Sequence, residues 1–297
     1  MKKLVFNPTD GVMKKAAAFI VMTYFSALIS DIAALCGLLP LIPWGFLRMW
    51  SVAISTIICS ALFKEDVSLL LKKYLKFSVK SLKLYLLSPF IVYLALGVYV
   101  TIASSLGLFD FSAYIELIAI EVAKTSNVTE EQAVHLATTS AYVQIISAYV
   151  AAITVNAIFA LGEEIGWRGY LYDLLGSKPS TKAVLTIGIV WGLWHASATI
   201  LLGYNYQLNR LTGVALFTLI TLFFTYPQLI VTSRAGGSVL PASSFHGMVN
   251  SIWGLTVVAS RLSKELGEVV LGLGFTGIMA WMVVDIALYM MVKMHRW

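Results

Sequence analysis

Charge is what this chain has least of. Asp, Glu, Lys and Arg make up 12% of its 297 residues, where a soluble domain carries about 25%. Hydrophobic residues reach 59% and the mean hydropathy is +0.84. That balance excludes a globule surrounded by water and points to one polytopic integral membrane domain over 1–297. Cysteine is nearly absent. Cys36 and Cys59 each sit in an apolar run with no neighbouring His or cation to favour a thiolate, so both read as packing residues. There is no Gly-rich phosphate loop, no internal repeat and no low-complexity tract. The zinc-protease spacing HExxH is also missing, so no motif demands a metal. No cleavable signal peptide is expected, because the first apolar run, from Ala16, is long enough to span and lacks a cleavage site.

Apolar runs of about 20 residues are what the chain has in abundance. Eight qualify, near 16–39, 44–63, 84–108, 143–162, 183–203, 211–232, 238–260 and 269–292. The seventh is interrupted by Ser243, Ser244, His246, Asn250 and Ser251. The expected fold class is therefore all-α, a transmembrane helix bundle of about eight spans.

The net charge of +6 would suit nucleic acid, but the cations are not placed for it. Lys2, Lys3, Lys14 and Lys15 crowd the N-terminus, and Lys72, Lys73, Lys76, Lys80 and Lys83 crowd one connection. Clusters beside apolar runs are cytoplasmic determinants facing anionic lipid, so the expected partner is the bilayer and not nucleic acid. The loop 109–142 carries Asp110, Glu116, Glu121, Glu130 and Glu131 against Lys124 and belongs outside. Arg168, Lys178, Lys182, Lys293 and Arg296 then fall inside, which puts both termini in the cytoplasm and Glu163 and Glu164 at the cytoplasmic end of the fourth span. The lysine run 72–83 reads as an interfacial basic helix. "AYIELIAIEVAK" in the outer loop is a weaker amphipathic case, and Asn127 in "NVT" fits a glycosylation pattern that matters only in a eukaryotic secretory pathway. A prokaryotic plasma membrane is expected ahead of the endoplasmic reticulum.

Polar residues inside the runs are few, and each costs at least about 2.5–3.5 kcal/mol to insert, so each is a functional candidate. Asp31 and Asp285 lack a polar neighbour at helical spacing and read as interhelical hydrogen-bonding groups, while Arg48 sits near a span end and can snorkel. The other six are organised. Glu164 and Arg168 stand four apart on one helical face as a charge-neutral pair, and Glu163, turned by about 100°, points elsewhere. Trp191 lies one turn before His195, and His246 shares a face with Asn250. A carboxylate in a poorly hydrated site can serve as general base, an imidazole can relay the proton, and a His with an Asn can hold an oxyanion. Alternatively, Glu163, His195 and His246 are a ligand set that zinc would accept.

"EEIGWR", "WGLWH" and "HGMVN" match, in order, the EExxxR, (F/W)xxxH and HxxxN motifs of the CPBP family. The chain thus resembles these intramembrane peptidases, also called Abi or type II CAAX endopeptidases, across 143–260, the expected catalytic core. The resemblance implies an endopeptidase cleaving near the cytoplasmic face. Glu163 and His195 would activate water, His246 and Asn250 would form the oxyanion site, and Glu164 with Arg168 would support them. It also implies a membrane-associated peptide as substrate, a prenylated CAAX tail among the candidates, and it leaves metal-free and metallo mechanisms both open. A transporter or proton pathway is the competing reading, weakened because the polar set is confined to 163–250 with no counterpart in the first half. A catalytically silent immunity or partner-binding protein is a third, which the intact motifs oppose.

Overall fold

The computed structural model describes residues 8–294. Lys2, Lys3 and Arg296, used above for orientation, lie outside them. Every regular element among the described residues is helical: α1 (Pro8–Leu35), α2 (Leu41–Leu62), α3 (Val67–Tyr74), α4 (Val79–Leu87), α5 (Pro89–Ser105), α6 (Phe111–Thr125), α7 (Glu130–Ala152) and α8 (Val155–Glu164). A π-helical stretch, Ile165–Leu171, joins α8 to the short α9 (Tyr172–Leu174). Then follow α10 (Thr181–Trp194), α11 (Ala196–Leu202), α12 (Arg210–Arg234), α13 (Leu240–Ile252), α14 (Leu255–Val258), α15 (Lys264–Val270) and α16 (Phe275–Met294). Six helical stretches are long and apolar enough to cross a membrane, or seven if the bent pair Glu130–Ala152 and Val155–Leu174 is one span.

The helices expected from the sequence map onto this bundle with three changes. The seventh becomes α13, only 13 residues long. It is too short to span alone at 1.5 Å per residue, and it is buried inside the bundle from Pro241 to Met248. The fourth run does not end at 162. Its helix breaks at Ile153–Thr154, bends by 48° and continues to Leu174. The lysine run is two helices rather than one. Ser78 interrupts it and caps α4 through a reciprocal pair of bonds with Ser81, so Lys80 and Lys83 belong to the first turns of the third span. The acidic loop 109–142 is a helical hairpin, with Asp110 capping α6 and Thr129 capping α7.

The break in α7–α8 is where α13 docks. A Cβ on Gly247 would lie 2.7 Å from the carbonyl oxygen of Ala152 and 2.9 Å from the backbone nitrogen of Ala157, so only glycine lets the backbones touch. Gly162 does the same against α2, its Cβ position being 2.7 Å from the Cα of Trp50.

Because consecutive long helices are antiparallel, the connections fall on two faces. On the first, Lys15 pairs with Glu65 at 2.6 Å, Lys73 with Asp173 at 2.6 Å, and the backbone of Val239 donates to Tyr74. Lys64, Lys76, Lys178, Lys182 and Arg234 belong to this lysine-rich face. On the second, Arg261 reaches Asp110 and Glu116, each at 2.6 Å, and Glu268 accepts the backbone N–H groups of Gln207, Leu208 and Asn209.

Candidate active site

Glu163 and Glu164 stand at the end of α8, in the interior of the bundle. Residues 162–172 are all buried, with Glu163 1% and Glu164 0% exposed. They are therefore not at the end of a span as expected, and Arg168 is buried in the same continuing helix. The helix runs on past both through Ile165, Trp167, Tyr170, Leu171 and Tyr172, beyond the end at 162 expected from hydropathy. π geometry recurs at functional sites because it re-aims side chains within a continuous helix.

The two glutamates divide as their helical spacing requires. Oε1 of Glu164 accepts from Nη1 of Arg168 at 3.2 Å, from Nδ1 of His246 at 2.8 Å and from Nε2 of Gln228 at 3.4 Å. The Arg168 guanidinium also donates to Oγ1 of Thr225 at 3.1 Å and lies 4.0 Å over the ring of Trp191. Glu163 faces another way. Its Oε2 accepts indole N–H groups from Trp191 at 2.6 Å and Trp167 at 3.3 Å. Trp191 ties the second motif to the first, because its carbonyl accepts from Nδ1 of His195 at 2.9 Å.

Tautomers follow from these partners. A carbonyl and a carboxylate can only accept, so Nδ1 of both His195 and His246 carries a proton, and Nε2 is the nitrogen each ring has left. Neutral His195 then presents a lone pair. His246 presents a lone pair when neutral and an N–H when charged, with Glu164 as its counter-ion.

Glu163, His195, His246 and Asn250 all line one cavity of ≈ 240 Å³. The two rings flank Trp191, with centroids 5.9 and 5.3 Å from it. Asn250 is the most exposed of the four, at the cavity rim one turn past His246. Among the described residues no three or more His, Cys, Asp or Glu side chains are placed to hold one metal ion. The zinc set Glu163, His195 and His246 shares the cavity without forming a ligand cluster, and one Glu163 oxygen is already held by two indoles.

Sequence reasoning passed over two contributors, Trp167 and Arg48. Trp167 stands four residues after Glu163, the same spacing that identified Arg168 as the partner of Glu164, so it was within reach of that argument. Arg48 does not snorkel. It is 3% exposed, pairs with Asp31 at 2.8 Å, donates to the carbonyl of Trp194 at 2.8 Å and lines the cavity. Asp31 is the interhelical group it was read to be, accepting also from Trp44 and Ser197. Asp285 differs: its Oδ1 is buried without a partner. Cys36 is exposed and Cys59 buried, and both are free.

Residues 145–252 match the family of type II CAAX prenyl endopeptidases described as Rce1-like. Over 107 residues the chain is 30% identical to CAAX prenyl protease 2 of Methanococcus maripaludis, a stretch covering 34% of this chain and 39% of that relative. The chain thus matches well under half the length of that curated protein. No solved structure matches the chain significantly.

Proposed function

Since the chain belongs to the Rce1-like family through residues 145–252, we propose that it is an intramembrane endopeptidase working from the cavity that holds Glu163, His195, His246 and Asn250. The observation that carries this reading is the division of labour around the two carboxylates. Glu164 is consumed by structural partners, whereas Glu163 is held by two indole donors and turned to the cavity.

The chemistry balances without further reagents. The carboxylate of Glu163 takes a proton from water as the water oxygen bonds to the scissile carbonyl carbon, with His195 Nε2 accepting the hydrogen bond of the second O–H. The carbonyl electron pair moves onto its oxygen, where the amide of Asn250 and a charged His246 donate. Collapse of that tetrahedral species breaks the C–N bond, and the proton on Glu163 passes to the leaving nitrogen. A preorganised oxyanion donor contributes about 2.7–4 kcal/mol, and a positioned base typically 10²- to 10⁴-fold. No step is routed through a metal. The substrate class is a membrane-associated peptide, for which a prenylated CAAX tail is one form.

Purified protein in detergent, where both faces are open, tests this with a prenylated and an unprenylated CAAX peptide side by side. Glu163→Gln, His195→Ala and His246→Ala are each expected to lose cleavage while remaining folded. Normal turnover by Glu163→Gln would sink the assignment. Activity before and after chelation, beside elemental analysis, decides between the metal-free and metallo forms.

A further inference from the structure

We propose that Glu268 is a positioning residue for the reaction: it fixes the connection 203–209 so that Tyr204 closes an aromatic cage around the His195 imidazole. The inference rests on the part given to His195 in the endopeptidase reading above.

His195 stands where α10 meets α11, with four aromatic rings around it. Trp191 and Trp194 come from α10 and Phe217 from α12, their centroids 5.9, 4.8 and 4.6 Å from the imidazole. All three are buried on helices. The fourth ring, Tyr204, lies 6.3 Å away and within 14° of parallel, and it meets Trp44 edge-on at 5.6 Å. Those separations are in the range where aromatic rings attract. Tyr204 differs from the other three. It is 38% exposed at the cavity wall, and its backbone is not helical. Its hydroxyl makes no hydrogen bond among the described residues, so the ring is placed by packing and by the main chain that carries it.

That main chain turns sharply on either side of Tyr204, because Gly203 and Asn205 have φ of +69° and +65°. It also borders two cavities. Tyr204 and Asn205 line the site of ≈ 240 Å³, while Gly203, Asn205, Gln207 and Glu268 line a second cavity of ≈ 550 Å³. A segment beside so much open volume has room to shift unless it is held.

Glu268, on α15 and 5% exposed, holds it. Its carboxylate accepts the backbone N–H groups of Gln207 at 2.7 Å, Leu208 at 3.1 Å and Asn209 at 2.8 Å, and the side-chain amide of Asn209 at 3.1 Å. Hydrogen bonds to an ionised acceptor are roughly twice as strong as neutral ones. The same charge complements the N-terminus of α12, which begins at Arg210. Weaker ties assist: Tyr206 donates to the carbonyl of Leu273 at 2.6 Å, and Arg210 to that of Ile200 at 2.8 Å. Glu268 does not line the site itself, so its effect on the reaction passes through the segment it grips.

Full-length protein in detergent tests this with two readouts. In hydrolysis of a prenylated CAAX peptide, Tyr204→Ala and Glu268→Gln are each expected to lower kcat roughly ten- to a hundred-fold, the scale of a misplaced reacting group. Tyr204→Phe, which restores the ring, is expected to recover most of what Tyr204→Ala loses. Because Glu268 acts through Tyr204, the Tyr204→Ala, Glu268→Gln double variant is expected to be no slower than Tyr204→Ala. Multiplied losses in the double variant, or wild-type kcat in either single one, overturn the proposal. Thermal unfolding shows that the variants are folded, and Glu268→Asp, which keeps the charge and shortens its reach, replaces Glu268→Gln if that chain does not fold.

The second readout needs no turnover. Diethyl pyrocarbonate acylates an imidazole nitrogen that carries a lone pair, as Nε2 of His195 does. Peptide mapping by mass spectrometry follows His195 against exposed His135. His195 is expected to react slowly in the wild type and in Tyr204→Phe, and several-fold faster in Tyr204→Ala and Glu268→Gln; equal rates overturn the cage. If labelling is as expected and the wild type cuts no peptide, the endopeptidase reading fails while the cage stands.

Discussion

Replacing Trp191 by Phe removes the indole N–H together with its five-membered ring and keeps an aromatic side chain. A six-membered ring face remains for the Arg168 guanidinium, and the backbone carbonyl that fixes His195 is unchanged. What disappears is the 2.6 Å bond to Oε2 of Glu163. A hydrogen bond to a charged group is worth about 1.5–3 kcal/mol, and each 1.36 kcal/mol is a tenfold change in rate. If that bond holds the base in its reactive orientation, Trp191→Phe lowers kcat roughly ten- to a hundred-fold and changes KM less, because the lost bond is to the base. Trp167 supplies an internal control. Its bond to the same oxygen is 3.3 Å long, so Trp167→Phe is expected to cost well under tenfold. The assay is steady-state hydrolysis by purified protein, with thermal unfolding in detergent to show that both variants stay folded. Wild-type kcat in Trp191→Phe, or a larger loss in Trp167→Phe, refutes the argument.

Four further outcomes follow from the geometry. Gly247→Ala puts a methyl group 2.7 Å from the carbonyl of Ala152, so α13 must shift, and loss of activity with a lower unfolding temperature is expected; an unaltered enzyme would show that the contact yields. Arg48→Met leaves Asp31 buried without its cation and is expected to cost about 3–5 kcal/mol, much of it regained in the Asp31→Asn, Arg48→Met double variant; equal unfolding temperatures for single and double variants would count against this. Arg168→Lys cannot reach Glu164 and Thr225 together while covering Trp191, so strong impairment despite conserved charge is expected, and full activity would contradict it. The fourth concerns pH. Hydrogen bonds from Ser112 and Arg261 hold the Asp110 carboxyl down to about 2 against an ordinary 3.8. A value depressed in the folded chain stabilises above the ordinary value and is lost as pH falls toward the folded one. Proteolysis of the connection at 126–129 is therefore expected to be the same at pH 7 and 5 and to rise only below about 3.8; release at pH 5 would refute the tether.

Spacing within one helix was legible in the sequence, and contacts between helices were not. Glu164 with Arg168 follows from four-residue periodicity alone, and the structure has the pair at 3.2 Å. Glu164 with His246 joins residues 82 apart. No local pattern reports it, so His246 was not read as a partner of Glu164. His246 and Asn250 are on one helix as expected, yet His246 is buried on Glu164 and Asn250 is exposed at the rim. Hydropathy found the apolar helices but erred where composition and length part company. The glutamates of α8 and the serines of α13 lower the hydropathy there, yet Glu163 Oε2, Glu164 Oε1, Ser243 and Ser244 are bonded inside the bundle. The bend at Ile153–Thr154 carries no Pro or Gly to announce it, since its cause is the helix packed against it.

The π-helical stretch gives the chain a length that cannot drift. Such a stretch holds one residue more than an α-ladder would need. Loss of Ile165 would let the backbone relax to ordinary helical bonds and leave the span intact. It would also place Arg168 four residues after Glu163 instead of Glu164, and carry Trp167 off its partner. The two neighbouring carboxylates would then exchange identities, the base neutralised by the guanidinium and its neighbour left unsupported. Here a single codon separates two chemically different proteins with the same fold.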